Sequence, residues 1–362
     1  MSLATQVQPV QLKIEDVHVS FGETKVLQGI NLDIEPGEFF AFLGPSGSGK
    51  STLLRAIAGF GPMPQGRILI NGEDIAALPP WKRDVGMVFQ NYALWPHLTV
   101  QKNVAFGLEE RKVPKGEIND RVEEALDMVG LADLAGRHPS QLSGGQQQRI
   151  ALARTIVTRP RLLLLDEPLS NLDANLRVQM RTDIRKLQRK LGLTTIFVTH
   201  DQEEANTISD RMAVLDMGII QQVGSPVELY DFPVNTFVAH FLGTTNMIEC
   251  EASDRDGTTV LQAGGGLELP LAVKVDGGQG AVVFRPQSVS INAEAEVKES
   301  VQLDGVVDSL EFLGSTVRYG VRVGEETIIL VEQDHQRGKK VFEETEQVKL
   351  AIPQRQLLFV RQ

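Results

Sequence analysis

Short apolar runs alternate with amphipathic helical patterns along roughly the first 230 residues of the chain. The runs at residues 38–43, 162–165 and 195–199 resemble strands that are buried on both faces of a parallel sheet. Residues 50–58 follow the first run with helical spacing, and Gly59 is a residue type that commonly ends a helix. This alternation of strand and helix predicts an α/β domain.

The pattern changes twice further along the chain. Residues 98–158 carry mostly helical patterns, broken by Pro and Gly, and predict a helical subdomain inserted into the α/β domain. Later, short apolar runs alternate with Gly and acidic turns. These runs are residues 281–284, 305–312, 316–323, 327–331, 348–352 and 357–360. Their close spacing predicts small antiparallel barrels. We therefore expect an α/β domain at residues 1–242 and an all-β domain at residues 243–362.

Composition narrows the class of protein. The chain has 362 residues, enough for two domains, and its 42% hydrophobic and 23% charged content is normal for a globular protein. No apolar run approaches the length of about 18 residues that spans a bilayer. The N-terminal residues also lack the basic-then-apolar order of a signal peptide. The single cysteine, Cys250, excludes an internal disulfide and fits a reducing cytosol.

The net charge of −11 argues against a general nucleic-acid binder, because such proteins need a strongly basic surface. Basic residues do cluster between residues 177 and 190, where apolar residues recur at helical spacing. These apolar residues are Leu176, Met180, Ile184, Leu187 and Leu191. The pattern predicts an amphipathic helix with a solvated basic face. We therefore expect no nucleic-acid partner.

A glycine-rich loop follows the first apolar run directly. Its residues are Gly44, Pro45, Ser46, Gly47, Ser48, Gly49, Lys50 and Ser51. They match the pattern G-x-x-x-x-G-K-[ST], in which backbone N–H groups and a helix N-terminus surround phosphate oxygens. We expect Lys50 to reach the β- and γ-phosphates and the Ser51 hydroxyl to bind Mg²⁺. The alternative is a plain Gly/Ser turn before a helix, which the strand, loop and helix in this order disfavour.

Two carboxylates follow the run of four leucines. Asp166 and Glu167 lie at the C-terminal end of a predicted central strand, where open α/β sheets bind ligands. We expect Asp166 to hold Mg²⁺ through water, and Glu167 to orient or deprotonate the attacking water. The alternative is a helix-capping pair, which the upstream Lys50 loop disfavours.

Two further polar side chains end neighbouring apolar runs. His200 follows residues 195–199, and its neutral imidazole is expected to bond the γ-phosphate or Glu167. Gln90 follows residues 85–89, and its amide is expected to reach Mg²⁺ or the attacking water. A lone histidine after a strand is usually structural, and surface glutamine is common. Both predictions therefore depend on the motifs around them.

A second small-residue motif precedes another helical pattern, at residues 147–157. The motif consists of Ser143, Gly144, Gly145 and Gln146 after Leu142. Small residues at a helix N-terminus form an anion site, yet the Lys50 loop already serves the phosphates. A second anion site in the same chain is explained if two copies associate, so that the site on one copy faces the γ-phosphate of the nucleotide bound by the other. The alternative is a Gly-Gly loop that only caps a helix.

Together these motifs resemble those of ATP-binding cassette (ABC) subunits, a family of P-loop NTPases, over residues 10–240. Gln90 is similar to the Q-loop glutamine and residues 142–146 to the family signature. Phe21 resembles the aromatic residue that stacks on adenine, where Tyr is commoner. Residues 170–173 resemble the D-loop, where the family more often has Ala in place of Asn171. None of the catalytic positions is degenerate, so the resemblance implies a working ATPase with ATP and Mg²⁺ as cofactors.

The resemblance also implies three sets of site residues. The catalytic set is Gln90, Glu167 and His200. The metal-binding set is Ser51, Gln90 and Asp166. The nucleotide-binding set is Phe21, Gly44, Pro45, Ser46, Gly47, Ser48, Gly49, Lys50, Ser51, Thr52, Ser143, Gly144, Gly145 and Gln146.

Residues 243–362 resemble the OB-like TOBE barrel of importer ATPases for polyamines, ferric iron, phosphonates and sugars. Residues 284–287 and 311–315 carry that resemblance, and residues 243–247 are closer to the polyamine, iron and phosphonate members. This tail has five aromatic residues and no basic stripe, which favours a regulatory or dimer-stabilising role over oligonucleotide binding.

The implied partners are a second copy of the chain, two integral-membrane permease subunits and, through the permease, an extracytoplasmic solute-binding protein. The implied location is the cytoplasmic face of the plasma membrane. The aromatic stretch at residues 92–97 is the candidate groove for a permease helix, with ordinary subdomain packing as the alternative. Other functions stay open: a sugar-type importer ATPase, a soluble ABC ATPase acting on DNA or the ribosome, and an unrelated P-loop kinase.

Overall fold

The computed structural model of the protein describes residues 8–255, 258–271, 274–275, 277–292 and 299–361. The chain forms two compact units, one ending at Pro226 and the other beginning at Val227. The predicted domains differ from these units in residues 227–242, which group with the second unit. Arg285 accounts for part of this grouping, because its guanidinium donates to the backbone oxygens of Tyr230 and Ala239.

The first unit combines strands and helices in nearly regular alternation. Its elements are β1 (Leu12–Phe21), β2 (Thr24–Ile34), β3 (Phe39–Leu43), α1 (Lys50–Ala58), β4 (Gln65–Ile70), β5 (Glu73–Asp74), β6 (Val85–Val88), α2 (Val100–Glu110), α3 (Lys115–Met128), α4 (Gly144–Ile156), β7 (Leu162–Asp166), α5 (Ala174–Leu191), β8 (Thr195–Thr199), α6 (Gln202–Ile208), β9 (Arg211–Asp216) and β10 (Ile219–Gly224). The α/β prediction is confirmed.

Two sheets organise this unit in the part of the chain that is described. One is antiparallel with the order β2-β1-β4-β5, and the other has the order β10-β9-β3-β8-β7-β6. In the second sheet, neighbours from β9 to β6 run parallel, and only β10 pairs antiparallel. Every residue of β3, β7 and β8 is buried, as their apolar composition predicted. The C-terminal ends of five parallel strands therefore meet at one edge.

The helices follow the predicted spacing with one correction at a boundary. Helix α1 spans the predicted residues and ends at Gly59, whose φ of 87° suits glycine. Helix α5 buries Met180 and Ile184, as predicted for an amphipathic helix. Helix α4, however, begins at Gly144 and not at residue 147. Ser143 caps its first turn, so the small residues belong to the helix itself.

The second unit is mainly antiparallel sheet. Its elements are α7 (Pro226–Asp231), α8 (Thr236–Phe241), β11 (Asn246–Arg255), β12 (Thr258–Ala263), β13 (Glu268–Pro270), β14 (Gly278–Phe284), β15 (Ser290–Ile291), β16 (Ser300–Phe312), β17 (Thr316–Val323), β18 (Thr327–Asp334), β19 (Gln347–Pro353) and β20 (Leu358–Val360). The described strands form two five-stranded sheets, with the orders β13-β12-β11-β14-β20 and β15-β19-β16-β17-β18. Both sheets contribute to one apolar core.

The predicted all-β character of this tail is confirmed, but strands β11, β12 and β13 were missed. In β11 the inward positions are Asn246, Ile248, Cys250 and Ala252, so the alternation begins with a polar residue and includes two small ones. Asn246 is buried because its amide bonds both backbone groups of Leu330. Among the described helices, none is long and apolar enough to cross a membrane.

Candidate functional site

The candidate site lies where four parallel strands end. Strand β3 leads into the glycine-rich loop, and β7 ends at Asp166 with Glu167 directly after it. Strand β8, which lies between β3 and β7 in the sheet, is followed by His200. Gln90 comes two residues after the end of β6. The order of the strands therefore brings together side chains that are far apart in sequence.

Lys50 is the buried cation at the centre of the loop. Its ammonium donates to the backbone oxygens of Gly44 at 2.9 Å and Pro45 at 2.7 Å, and to Ser48 Oγ at 3.4 Å. Burial lowers the pKa of Lys50, while the charges of Glu167 and Asp166 act in the opposite direction. A positive charge held by neutral oxygens of its own loop is available to a phosphate.

Two glycines of the loop are required by its geometry. A Cβ on Gly44 would lie 2.2 Å from the backbone oxygen of Leu215, which cannot move aside as a flexible side chain could. Gly49 has a φ of 101° and caps α1, and its Cβ would lie 2.8 Å from Leu27. The loop therefore packs against β9 and β2 more closely than residues with a Cβ at these two positions would allow.

Ser51 and Asp166 supply oxygen ligands of the kind that Mg²⁺ prefers. The Ser51 hydroxyl donates to Asp166 Oδ1 at 2.8 Å, and Asp166 is only 4% exposed. Among the described residues, no group of three or more His, Cys, Asp and Glu side chains is arranged to hold a metal ion. Mg²⁺ usually takes one or two protein carboxylates and keeps water and phosphate oxygens as its other ligands.

Arg55 was missed by the sequence reasoning, although a signal was present. It lies four residues after Ser51 on α1, and residues at this spacing share one face of a helix. Its guanidinium lies 3.5 Å from Asp166 Oδ2. Arg55 thus places a second positive charge beside the carboxylate.

Glu167 has the most constrained position in the site. Its φ of 43° is left-handed, which costs a residue other than glycine about 1–3 kcal/mol. Its Oε2 accepts from Gln90 Nε2 at 3.2 Å and lies 3.5 Å from His200 Nδ1. Gln90 also donates to Ser170 Oγ at 3.3 Å. The structure therefore joins three predicted catalytic side chains, while the predicted metal-binding role of Gln90 stays a prediction.

The second small-residue motif forms a well-capped helix start. The Ser143 N–H donates to Gln146 Oε1 at 2.9 Å, and the Gln146 N–H donates to Ser143 Oγ at 3.3 Å. Gly145 is buried against Leu176, and a Cβ at this position would lie 3.0 Å from that side chain. Ser143 and Gly144 are exposed. In the described chain these residues make no hydrogen bond to the Lys50 loop.

The remaining predicted nucleotide-binding residues lie at the rim. Ser46 and Gly47 are exposed, and Thr52 is half-buried in the first turn of α1. Phe21 ends β1 and is 52% exposed, as a ring available for stacking would be. No finding tests their contacts with nucleotide, so these assignments stay predictions.

Comparison with known proteins adds an independent finding. A family model described as ABC transporter matches residues 27–170, and one described as TOBE domain matches residues 282–360. The chain is also similar to a solved structure described as cbiO1 from Clostridium perfringens, part of the ABC transporter complex cbiONQ. The identity is 34% and the TM-score 0.57, over 60% of this chain and 89% of that one.

Curated relatives match almost end to end. The spermidine/putrescine import ATP-binding protein PotA of Rubrobacter xylanophilus is 42% identical over 360 residues, which cover 98% of this chain and 94% of the relative. The Fe(3+) ions import ATP-binding protein FbpC of Fusobacterium nucleatum is 43% identical, over 95% and 93%. The sn-glycerol-3-phosphate import ATP-binding protein UgpC 3 of Rhizobium etli is 44% identical, over 93% of each.

Proposed function

Because the chain belongs to the ATP-binding subunits of ABC transporters, we propose that it is the ATPase of a solute importer and works as a homodimer that closes on two ATP molecules. The observation that carries this proposal is the position of Glu167, held by Gln90 and His200 next to the Ser51–Asp166 pair. A carboxylate at that point can orient the water that attacks a γ-phosphate.

The site residues divide the chemistry among them. Lys50 and the N-terminus of α1 bind the phosphates, and phosphoryl transfer depends mainly on such positioning and charge stabilisation. Ser51 and Asp166 would hold Mg²⁺, which neutralises phosphate charge when bound. His200 lies within 3.5 Å of Glu167 and is the group that responds to the γ-phosphate.

The homodimer follows from the second anion site. Ser143 and Gly144 are exposed at the N-terminus of α4, a thirteen-residue helix whose dipole favours an anion. The side-chain capping bonds of Ser143 stay within residues 143–146 in the described chain. This site would bind the γ-phosphate of ATP that is held by the Lys50 loop of a second copy of the chain.

Glu167→Gln tests this function. The amide keeps the shape of the side chain but cannot act as a base, so ATP should stay bound and the closed dimer should accumulate. We expect a dimer by size-exclusion chromatography and retained nucleotide after desalting. The matched control is Glu203→Gln, which removes a carboxylate paired with Arg181 and should behave as wild type. Normal turnover by Glu167→Gln, or full-rate hydrolysis by a strict monomer, would refute the proposal.

We further propose that residues 92–97 and a neighbouring aromatic pair receive a cytoplasmic helix of each permease subunit. Phe60, which is 43% exposed, lies 5.9 Å from Phe89, the residue before Gln90. Tyr92 is buried and Trp95 half-buried, so the exposed part of this surface includes Phe60, Pro96 and His97. A partly apolar surface next to a catalytic loop is suited to a helix that senses the nucleotide state. The protein would then sit at the cytoplasmic face of the plasma membrane, with a solute-binding protein acting through the permease.

For cargo we propose the polyamine, ferric iron or phosphonate class. The names of the relatives from Rubrobacter and Fusobacterium support the first two, and the Rhizobium relative is named for sn-glycerol-3-phosphate. The test is uptake of labelled putrescine, ferric iron and a phosphonate in a deletion strain. Wild type should restore one of these, and Glu167→Gln should restore none. Restored uptake of a sugar or of glycerol phosphate alone would overturn this cargo class.

A further inference from the structure

The segment after Gln90 has an unusual backbone. Tyr92 and Ala93 are consecutive residues with left-handed φ values of 59° and 46°. Neither is glycine, so each conformation costs about 1 kcal/mol or more unless the surroundings impose it. A pair of such residues next to a catalytic loop calls for a specific cause.

Arg154 supplies that cause from the signature helix α4. Its Nη1 donates to the Ala93 oxygen at 2.7 Å and its Nη2 to the Tyr92 oxygen at 2.8 Å. The guanidinium also lies 4.7 Å from the centre of the Trp95 ring, which packs 4.1 Å from Phe106 of α2. Only a planar fork with several donors can bind two successive carbonyls and stack on a ring at once.

Asn103 of α2 holds the other end of the segment. Its Oδ1 accepts from the Trp95 N–H at 2.8 Å, and its Nδ2 lies 3.1 Å from each of the Trp95, Leu98 and Thr99 oxygens. Asn103 is fully buried. Residues 92–98 are therefore bound at both ends to helices of the α2–α4 region. A weaker contact joins the segment to the residue after Glu167: the Tyr92 hydroxyl donates to the Pro168 oxygen at 3.4 Å.

The same helix thus carries two features at opposite ends. Ser143 caps its N-terminus, and Arg154 lies eleven residues later, about 16 Å along the axis. We propose that Arg154 is a positioning residue that makes residues 92–98 move as one body with the signature end of α4. This proposal rests on the proposed function. When Ser143 closes on nucleotide, residues 92–98 would move with α4, and so would the surface that contacts the permease.

Hydrogen exchange measured by mass spectrometry tests this role. Four backbone amides of the segment donate hydrogen bonds: those of Tyr92, Ala93, Trp95 and Leu98. Their exchange should therefore be slow in the wild type and able to rise in a variant. In Arg154→Met we expect exchange within residues 92–98 to rise about tenfold or more, with the Lys50 loop unchanged. When Arg154→Met is combined with Glu167→Gln, ATP should still reduce exchange in residues 143–147. The ATP-dependent reduction of exchange in residues 92–98, which is expected with Arg154 intact, should be lost.

Two further variants make the result specific. Arg121→Met removes a guanidinium that donates to the Val157 oxygen, just after the C-terminal end of α4 and close to Arg154, without touching residues 92–98. It should leave exchange of that segment as in wild type. Arg154→Lys keeps the charge but not the fork, so it should restore protection only in part, and it serves as the test if Arg154→Met does not fold.

Unchanged exchange of residues 92–98 in the Arg154 variants would overturn the proposal, whether or not the protein is a transport ATPase. So would an ATP-dependent change that still appears in both segments of Arg154→Met. Failure of the proposed function has a different signature, because ATP would then cause no dimerisation of Glu167→Gln with Arg154 intact.

Discussion

Gln148 offers a sharp test of how α4 is packed. Its side chain is fully buried, and neither its Nε2 nor its Oε1 has a hydrogen-bond partner in the described chain. Each unsatisfied buried polar group costs about 1–3 kcal/mol. Methionine has a similar length, no polar amide and a flexible shape that fills irregular space. We therefore predict that Gln148→Met raises the free energy of unfolding by about 1–3 kcal/mol.

Tryptophan fluorescence during urea and thermal unfolding measures this change. The chain has two tryptophans, Trp81 and Trp95, and both belong to the first compact unit, so the signal follows the unit that contains α4. This matters because two units can unfold in separate transitions. For a unit of this size, the predicted gain corresponds to a rise in Tm of roughly 2–12 °C.

The neighbouring Gln147 provides the matched control. It is half-buried, and its Nε2 donates to the Pro139 and Leu142 oxygens at 3.2 Å. Gln147→Met removes satisfied bonds and should lower stability by about 1 kcal/mol. If Gln148→Met also lowered stability, the reasoning would be refuted, because the buried amide would then have a partner such as an enclosed water.

Two other predictions concern the glycine-rich loop. Gly44→Ala should abolish ATP binding measured by calorimetry, because the added Cβ would lie 2.2 Å from the Leu215 backbone oxygen. Gly47→Ala has open space around the added Cβ, but the φ of Gly47 is 83°, so this variant should bind ATP more weakly but measurably. ATP affinity should also fall as pH rises in the alkaline range. In the free protein, burial lowers the pKa of Lys50 below 10.5, and a bound phosphate would raise it again. At a pH where the free amine is partly neutral, ATP binding is therefore coupled to the uptake of a proton by Lys50. Calorimetry in two buffers of different ionisation enthalpy at alkaline pH should detect this uptake. Lys50→Arg, which stays charged, should abolish it. Equal proton uptake in both proteins would contradict the assignment.

Much of the fold was predictable because its signals are local. The buried strands β3, β7 and β8 are short apolar runs, and the helix α1 is bounded by a loop motif and Gly59. Strands β11 and β12 escaped prediction because polar residues, Asn246 and Thr259, take inward positions there, and β13 because it is only three residues long. Whether a polar residue faces the core depends on a partner such as Leu330, and periodicity carries no information about that partner.

The start of α4 illustrates the same limit at short range. Small residues at 143–145 suggested a loop before the helix, because Gly is a poor helix former. The reciprocal bonds between Ser143 and Gln146 stabilise the first turn and bring the glycines into it. Gly145 is accommodated because it lies against Leu176, 31 positions further along the chain. Tertiary packing thus decided a boundary that propensity alone would set later.

By itself, the sequence determined which side chains are available for phosphate chemistry and which strand each one follows, because motif spacing and apolar runs are local properties. Only the tertiary structure decided which of them meet. Placing β8 between β3 and β7 brings His200 to Glu167, and Gln90 reaches Glu167 across 77 positions of sequence. The same packing placed Arg154 against the backbone of residues 92–93 and left the Gln148 amide without a hydrogen-bond partner among the described residues. Such contacts depend on strand order and helix packing, which are properties of the whole chain.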